Sequence, residues 1–149
     1  MVDLKEKILS ELEGLLKNKA KDMQDQLILL QTDSAGSAKS SMGDKYETTR
    51  EMLKQEEEKV GHQLARCKKD LQMVTQQKDQ VYQTVQAGSL VRSNEKYFLL
   101  LMGIGPLAVG EMEVFVISPA SPIGQALLGK KKGDFFVFNK MEEKIDDLV

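Results

Sequence analysis

The chain has few of the residues that build metal centres, disulfide frameworks and thiol chemistry. Its 149 residues include no Trp, one Cys and one His. A disulfide framework and a Cys/His zinc site each need several such residues, so the composition disfavours both. A catalytic centre that joins a nucleophile to spare histidines is disfavoured for the same reason. We expect Cys67 in a helix–helix interface and His62 on a solvated or partner-facing surface.

Aromatic residues and charge of one sign are also scarce. Aromatics make up 5% of the chain and charged residues 30%, a balance that favours long solvated helices over one thick globular core. The net charge is −2, and residues 1–87 and 88–149 each carry −1. The basic surface with which a protein holds duplex DNA by its phosphates is missing. Any link to nucleic acid should therefore run through a protein partner.

Long apolar runs are absent as well. No stretch approaches the 18 apolar residues of a membrane-spanning helix. The N-terminal stretch MVDLKEKILSELEG contains acids and lacks the apolar centre of a signal peptide. We therefore expect a cytoplasmic protein that does not associate with membranes.

Two series of apolar residues recur every seven positions in the first half of the chain. The first is Leu9, Leu16, Met23 and Leu30, with Leu12, Ala20 and Leu27 between them; the second is Tyr46, Leu53, Val60, Cys67, Val74 and Val81, with Leu64, Leu71 and Val85. A sustained 3.5-residue period predicts helices wound around each other. The intervening residues are mostly Lys, Glu, Gln and Asp, which helices accept.

The two series can pair as an antiparallel coiled-coil hairpin. Pairing Leu16 with Val60 and Leu9 with Cys67 keeps one register, in which the numbers of paired residues sum to 76. This register places the tip of the hairpin at about residues 32–46.

The second helix is predicted over about residues 44–86. Because the first helix runs out at Leu4, Val74, Val81 and Val85 need another partner and should pack against a second domain at the base of the hairpin. The predicted domains are therefore 1–86, the coiled-coil hairpin, and 87–149.

After residue 86 the pattern changes to short runs rich in Val, Phe and Tyr and bounded by Gly, Pro and Asn, which predict strands. The predicted strands are SLVRS, KYFLLLMGIG, EMEVFVIS and FFVF. Ser121 as N-cap, Pro122 at the first helical position and Gly129 past the end predict a short helix. The fold class is thus α+β, with a small antiparallel sheet and one helix packed on it. We expect the charged tail KMEEKIDDLV to fray.

Two segments match a known family. SPIGQALLGKKKGDFFVF (Ser121–Phe138) resembles the Ser-Pro-Ile/Leu-x-x-Ala-Leu-x-Gly-x-x-x-Gly-Asp stretch of the GreA/GreB family of bacterial transcript-cleavage factors. YETTRE (Tyr46–Glu51) resembles that family's Tyr-x-x-x-Arg-Glu at the start of the second helix. A helical hairpin joined to a small α+β domain is similar to the family architecture, which implies an FKBP-like second domain.

The resemblance implies a function at RNA polymerase. In this family the hairpin enters the secondary channel, and two acids at its tip help to hold the second catalytic magnesium for cleavage of backtracked RNA. The polymerase supplies the active site, so we expect a monomer that is not itself an enzyme, binds no metal stably and has no cofactor beyond a shared magnesium. The implied tip acids are Asp44 and Glu47, the tip contacts are Lys45, Tyr46 and Arg50, and the docking turn is Ser121, Pro122 and Ile123.

The tip departs from the family pattern Gly-Asp-x-x-Glu-Asn-x-acid-Tyr. An ungapped alignment on YETTRE puts Lys39 and Met42 at acidic positions, and the shift that brings Asp44 and Glu47 onto the pattern misplaces Tyr46. Asp44 and Glu47 also form a near capping box, which has a purely structural use. We expect binding without strong cleavage, while stimulation of cleavage and simple occupancy of the channel both stay open.

Two other functions are compatible with the sequence. A coiled-coil scaffold would dimerise through the hairpin. A peptidyl-prolyl isomerase would need an apolar pocket lined by aromatics, whereas strand alternation should divide the six aromatics of the second domain between two faces. GIGPLAVG lacks the glycine spacing of a dinucleotide loop, and GKKKGD is predicted to be a solvated turn between helix and strand.

Overall fold

A computed structural model describes the backbone of residues 1–37 and 43–149 and the side chains of residues 1–32 and 47–149. Two long helices precede short strands and a short helix, which confirms the predicted α+β class. The chain divides into two compact units, residues 14–71 and residues 1–13 with 72–149. The elements are α1 (Val2–Ser37), α2 (Gly43–Gln76), β1 (Leu90–Ser93), β2 (Lys96–Leu100), β3 (Gly105–Val109), β4 (Met112–Ile117), α3 (Pro122–Leu127), β5 (Phe135–Phe138), β6 (Met141–Lys144) and β7 (Asp147–Leu148).

The unit of residues 14–71 consists of α1 and α2 packed side by side. Its shielded side chains lie at the predicted seven-residue positions, while most residues between them are exposed. Leu16, Val60, Leu64 and Cys67 are buried; Met23, Leu27, Leu30 and Leu53 are half-buried. The periodicity therefore identified the contact face of both helices.

The register of the two helices differs from the prediction. The Sγ atom of Cys67 lies 3.3 Å from the carbonyl oxygen of Leu16, so these two residues are level. The predicted register pairs Leu16 with Val60, which precedes Cys67 by one heptad, or about 10 Å along α2. Residues that face each other across the two helices thus have residue numbers that add up to 83, whereas the predicted register gave 76. Towards the other end of the unit, Leu27 and Lys54 line one shallow cavity, as an antiparallel pair near this register should.

Helix α2 ends at Gln76, ten residues before the predicted end. Asp79 has a φ of 62°, and its N–H donates to a carboxylate oxygen of Glu6 at 3.1 Å. This contact with the first turns of α1 stabilises a turn whose sequence contains no Gly or Pro. Val81, predicted inside the helix, is therefore 60% exposed, and Val85 joins the core of the sheet domain.

Residues 1–13 of α1 pack in the same unit as the sheet domain. Ile8, Leu9 and Leu12 have no exposed surface. The Nζ atom of Lys5 lies 3.5 Å from the carbonyl oxygen of Val149, which follows β7. The start of α1 therefore lies beside the last strand, so the first and last residues of the chain share one core.

Strands β1 to β4 and β7 form a five-stranded sheet in the order β3-β4-β2-β1-β7. Its pairs are antiparallel except for β2 and β4, which are parallel with Phe98 beside Phe115. The sheet is therefore mainly antiparallel, as predicted, with one parallel pair. This pair arises because β3, which the sequence pattern does not predict, forms a hairpin with β4 and returns β4 beside β2. Pro106 is tolerated in β3 because this strand is at the sheet edge.

The tail was expected to fray, and this prediction is wrong. Residues 141–144 form β6, which pairs with β5 in a separate two-stranded sheet, and β7 pairs with β1. Ile145 is fully buried and Val149 is 4% exposed. Asn139 and Lys140 both have positive φ, as in the two-residue turn that suits a β-hairpin. The tail is thus part of the core because its few apolar residues fall at buried positions.

Four aromatic residues gather in the core between the two sheets. The ring of Phe98 lies 5.7 Å from Phe115, 6.3 Å from Phe136 and 5.7 Å from Phe138. Strand alternation separates Phe135, which points outward and is 54% exposed. Phe98 and Phe136 are buried, and the partly buried Phe115 and Phe138 pack against them as part of the core.

Candidate functional site

The first candidate region is the start of α2. The helix begins at Gly43, one residue before the predicted N-cap Asp44, so Asp44 lies inside the first turn. The side chains of Asp44, Lys45 and Tyr46 lie outside the described residues, and so do Lys39 and Met42.

The next turns of α2 present a charged surface. Glu47 and Arg50, two of the predicted tip residues, are exposed. Together with Glu51, Lys54 and Glu58 they line a shallow concavity along one side of the helix. This surface mixes three carboxylates with two cations at spacings of three and four residues, so opposite charges are neighbours. Such a surface suits contacts with a mixed-charge partner.

No metal centre is found among the described residues. They contain no group of three His, Cys, Asp or Glu side chains that could hold a metal ion. His62 is exposed, as expected. The one predicted route to a metal, the shared magnesium at Asp44 and Glu47, depends on a side chain that is outside the described part of the chain.

The second candidate region is the turn at the start of α3. The hydroxyl of Ser121 accepts from the N–H of Gly124 at 3.1 Å and donates to the carbonyl oxygen of Ser118 at 2.6 Å. Ser121 is therefore the N-cap that the sequence predicts, with Pro122 at the first helical position. The amide of Gln125 donates to the carbonyl oxygen of Pro119 at 2.8 Å and ties the loop down.

This turn is built tightly around Gly124. A Cβ atom at that position would lie 2.2 Å from the carbonyl oxygen of Ser118 and 2.8 Å from that of Pro119. Only glycine allows such a close approach of backbone. Pro122 is exposed at the surface of the turn, whereas Ile123 is half-buried and packs against the core cluster. Of the three predicted docking residues, Pro122 is thus the most available to a partner, and Ile123 also has a structural role.

A buried lysine near the start of α1 was missed by the sequence reasoning. Lys5 is 2% exposed, donates to the carbonyl oxygen of Gln80 at 2.7 Å, and lies 4.7 Å above the ring of Tyr82. Burial lowers the pKa of Lys5 to about 8, against a smaller opposing effect of Glu6. The sequence did not indicate that Lys5 is buried, because a charged residue between apolar residues at heptad spacing is normally solvated.

A polar cluster that joins the two sheets was missed as well. Glu143, 8% exposed, accepts from the Ser93 hydroxyl at 3.0 Å and from Lys96 Nζ at 2.6 Å. Lys96 also lies 5.0 Å from the ring of Phe138. Both carboxylate oxygens are satisfied, so this cluster anchors β6 to the β1–β2 hairpin. Glu143 belongs to the tail that was predicted to fray, which is why its burial could not be foreseen.

Cys67 occupies the helix–helix interface, as predicted. It is 5% exposed. Burial raises the pKa of its thiol, the charge of Asp70 acts in the same direction, and Lys19 opposes them. A buried thiol with a raised pKa is a poor nucleophile, which favours packing over chemistry.

The fold and these surfaces define an α+β protein with a two-helix unit, a capped Ser-Pro turn and, within the described residues, no helix long and apolar enough to cross a membrane. No protein-family model and no curated protein matches the chain. Among solved structures, that of the transcription factor Gfh1 is 17% identical, with a TM-score of 0.34, over 91% of this chain and 92% of that one.

Proposed function

We propose that this chain is a Gre-like factor that binds RNA polymerase, places its helical hairpin in the secondary channel and modulates elongation. Support comes from the resemblance of Ser121–Phe138 and Tyr46–Glu51 to the motifs of that family, and from the order of two long helices followed by a small sheet domain. With 34 residues, α2 is about 50 Å long, a length suited to reaching down a channel.

The observation that carries this proposal is the preorganised turn at Ser121. Its hydroxyl satisfies both the Gly124 N–H and the Ser118 carbonyl, and the turn presents Pro122 at the surface. A turn held in this way loses little conformational freedom on binding. Pro122 and the exposed Gln125 are therefore the residues with which we expect the sheet domain to grip the polymerase.

At the tip we propose contact without strong cleavage. Asp44 and Glu47 would be the residues that face the polymerase magnesium, and Lys45, Tyr46 and Arg50 would contact the channel. The chain would bind no metal or cofactor of its own and would reach nucleic acid only through the polymerase. Strong cleavage is not expected because the ungapped register leaves Lys39 and Met42 at the acidic positions.

The direct test is binding to purified core RNA polymerase from the native host. Wild-type chain should bind, and a Pro122→Ala/Gln125→Ala variant should bind at least about tenfold more weakly, a loss typical of two central contacts. Alanine is accepted at both helical positions, so helix content should be unchanged. The melting temperature should fall slightly, because Gln125 no longer ties the loop down at the Pro119 carbonyl. Undiminished binding by the folded variant would contradict the docking role, and no binding by wild type would contradict the proposed function.

A coiled-coil scaffold is the second candidate, because large apolar side chains are exposed in the described part of the helical unit. Ile28 is 51% exposed, Leu29 64% and Met52 65%. Dimerisation could cover these side chains. Light scattering, which gives the oligomeric state, and the polymerase-binding assay together distinguish the two candidate functions. A monomer that binds polymerase supports the first proposal, and a stable dimer that does not bind polymerase supports the second.

A further inference from the structure

The outer side of the β5–β6 sheet exposes large apolar side chains. Phe135 is 54% exposed and Val137 60%. Strand alternation turns Phe136 inward, where it is 3% exposed, and turns Phe135 and Val137 outward. Met141 is 68% exposed, but it pairs with the inward-facing Phe138 and so lies on the other face of the hairpin. We call Phe135 and Val137 the apolar patch.

Folding does not explain the apolar patch. A threonine at either strand position would suit a β-strand as well as phenylalanine or valine does. Short exposed sheets usually carry charge or proline, which hinder association, but β5 reads FFVF and has neither. Burying one such side chain against a partner stabilises a complex substantially, because apolar area leaves water. The composition of β5 therefore points to an interaction surface.

Lysines surround the apolar patch. Lys144 is directly opposite Phe135 on the outer side, Lys140 lies in the turn, and Lys131 precedes β5. Within the described part of the chain none of these three lysines makes an ion pair. Residues 130–144 contain five lysines and three carboxylates, a net charge of +2 in a chain whose net charge is −2. One of those carboxylates, Glu143, is already bound by Lys96, and one of the lysines, Lys132, is bound by Asp147, so the net charge of the remaining groups is still +2.

We propose that the apolar patch binds an acidic amphipathic helix of a partner protein. Phe135 and Val137 are about 7 Å apart along the strand, close to the roughly 6 Å between helix residues four apart. Carboxylates flanking the apolar stripe of that helix would reach the lysines at both ends of the patch. Glu142, opposite Val137, is outnumbered by these lysines, so a basic helix would be repelled.

This surface shares no residue with the exposed part of the Ser-Pro turn. The proposal therefore goes beyond the proposed function and does not depend on it.

The first test is selection from a displayed library of random peptides of about 16 residues, or four helical turns. The bait is the full chain, and a Phe135→Thr/Val137→Thr variant serves for counter-selection. We expect enriched peptides with apolar residues at i, i+4 and i+7 and an excess of Asp and Glu. Failure to enrich peptides that distinguish the two baits would overturn the proposal, as would enrichment of basic or proline-rich peptides.

The second test is the affinity of the most enriched peptide, measured by fluorescence anisotropy. The Phe135→Thr/Val137→Thr variant should lose at least about tenfold in affinity. A Lys140→Glu/Lys144→Glu variant should also bind more weakly, and added salt should weaken wild-type binding. Val81→Thr is the matched control, because Val81 is as exposed as Val137 but lies outside the patch. Its affinity should not change.

Thermal melts of these variants should coincide with that of the wild type, since all substituted side chains are exposed. Equal loss of affinity in Val81→Thr, or binding that salt leaves unchanged, would overturn the proposal. Self-association of the wild type that disappears in the double threonine variant would also overturn it, because the occupant of the patch would then be a second copy of this chain.

Discussion

The thiol of Cys67 lies against the backbone of Leu16, with 3.3 Å between Sγ and the carbonyl oxygen. A buried sulfur that is level with a given turn of the opposite helix defines the register of the pair. Sliding either helix by one heptad would keep the same face buried but would move Cys67 about 10 Å from Leu16. This contact is therefore the simplest place to test the arrangement of the two helices.

A Leu16→Cys variant should form an intramolecular disulfide with native Cys67. Oxidation should lock the two helices together within one chain, because the side chains already share one level of the interface. Peptide mapping after non-reducing digestion measures the yield. The matched control is Leu16→Cys/Val60→Cys/Cys67→Ser, which tests the register with sum 76. If this control crosslinks more efficiently than the first variant, the register described above is wrong.

Lys5 should make the free energy of unfolding depend on pH in the alkaline range. Burial lowers its folded-state pKa to about 8 from 10.5, so between these values the unfolded chain retains a proton that folded Lys5 has released. Stability should therefore rise as the pH increases from about 8 to 10.5, and the penalty for the buried charge should be complete below pH 8.

Denaturant unfolding of wild type and Lys5→Met at several pH values measures this effect. We expect the wild type to gain up to about 3 kcal/mol relative to the variant across that window. Lys7→Met, which replaces an exposed lysine two residues away, should follow the wild-type pH dependence. Parallel curves for wild type and Lys5→Met would show that Lys5 keeps an ordinary pKa.

Gly124→Ala should destabilise the sheet domain by about 1–3 kcal/mol, because the added Cβ would overlap two backbone carbonyls. Gly14→Ala is the control. Apart from the neighbouring residues and backbone of its own helix, no atom lies within 4 Å of a Cβ at Gly14. Alanine is favoured over glycine inside a helix by about 1 kcal/mol. Thermal melts should therefore shift in opposite directions. A neutral Gly124→Ala would mean that the turn before α3 relaxes freely.

The substitution Asp44→Asn tests whether the tip has a catalytic role. We expect the chain to bind its polymerase and to leave cleavage of backtracked RNA nearly unaccelerated. If cleavage is accelerated strongly, Asp44→Asn should abolish it while binding persists, because this substitution removes the charge and keeps a side chain of the same size. Asp25→Asn, an exposed acid on α1, is the control. Strong cleavage by wild type would contradict the expectation that rests on Lys39 and Met42.

Local signals predicted the elements whose ends are set by nearby residues. Ser121, Pro122 and Gly129 bound α3 as expected, since a cap, a fixed φ and a left-handed glycine act within one turn. Heptad spacing likewise identified the contact faces of α1 and α2. The Ser-Pro turn could be located from sequence for the same reason, but the second role of Ile123 in the core could not.

Other features depend on contacts between distant residues. The run FFVF predicts β5. The turn at Asn139 and Lys140 lacks the usual glycine, so the pairing of the tail with β5 was not predicted. Burial of Glu143 requires Ser93 and Lys96 to meet it from another hairpin. The exposure of Phe135 follows from which side of β5 faces the core.

The sequence by itself determined two amphipathic helices, a strand-rich second half and a capped short helix, because period, propensity and capping are local properties. Only the tertiary structure decided the register, the end of α2 and the fate of the tail. Registers one heptad apart bury the same kinds of side chains, so the repeat cannot choose between them. The end of α2 depends on Glu6, which is 73 residues from Asp79 along the chain, and the tail is ordered because Ile145 and Val149 find a core that other strands have built.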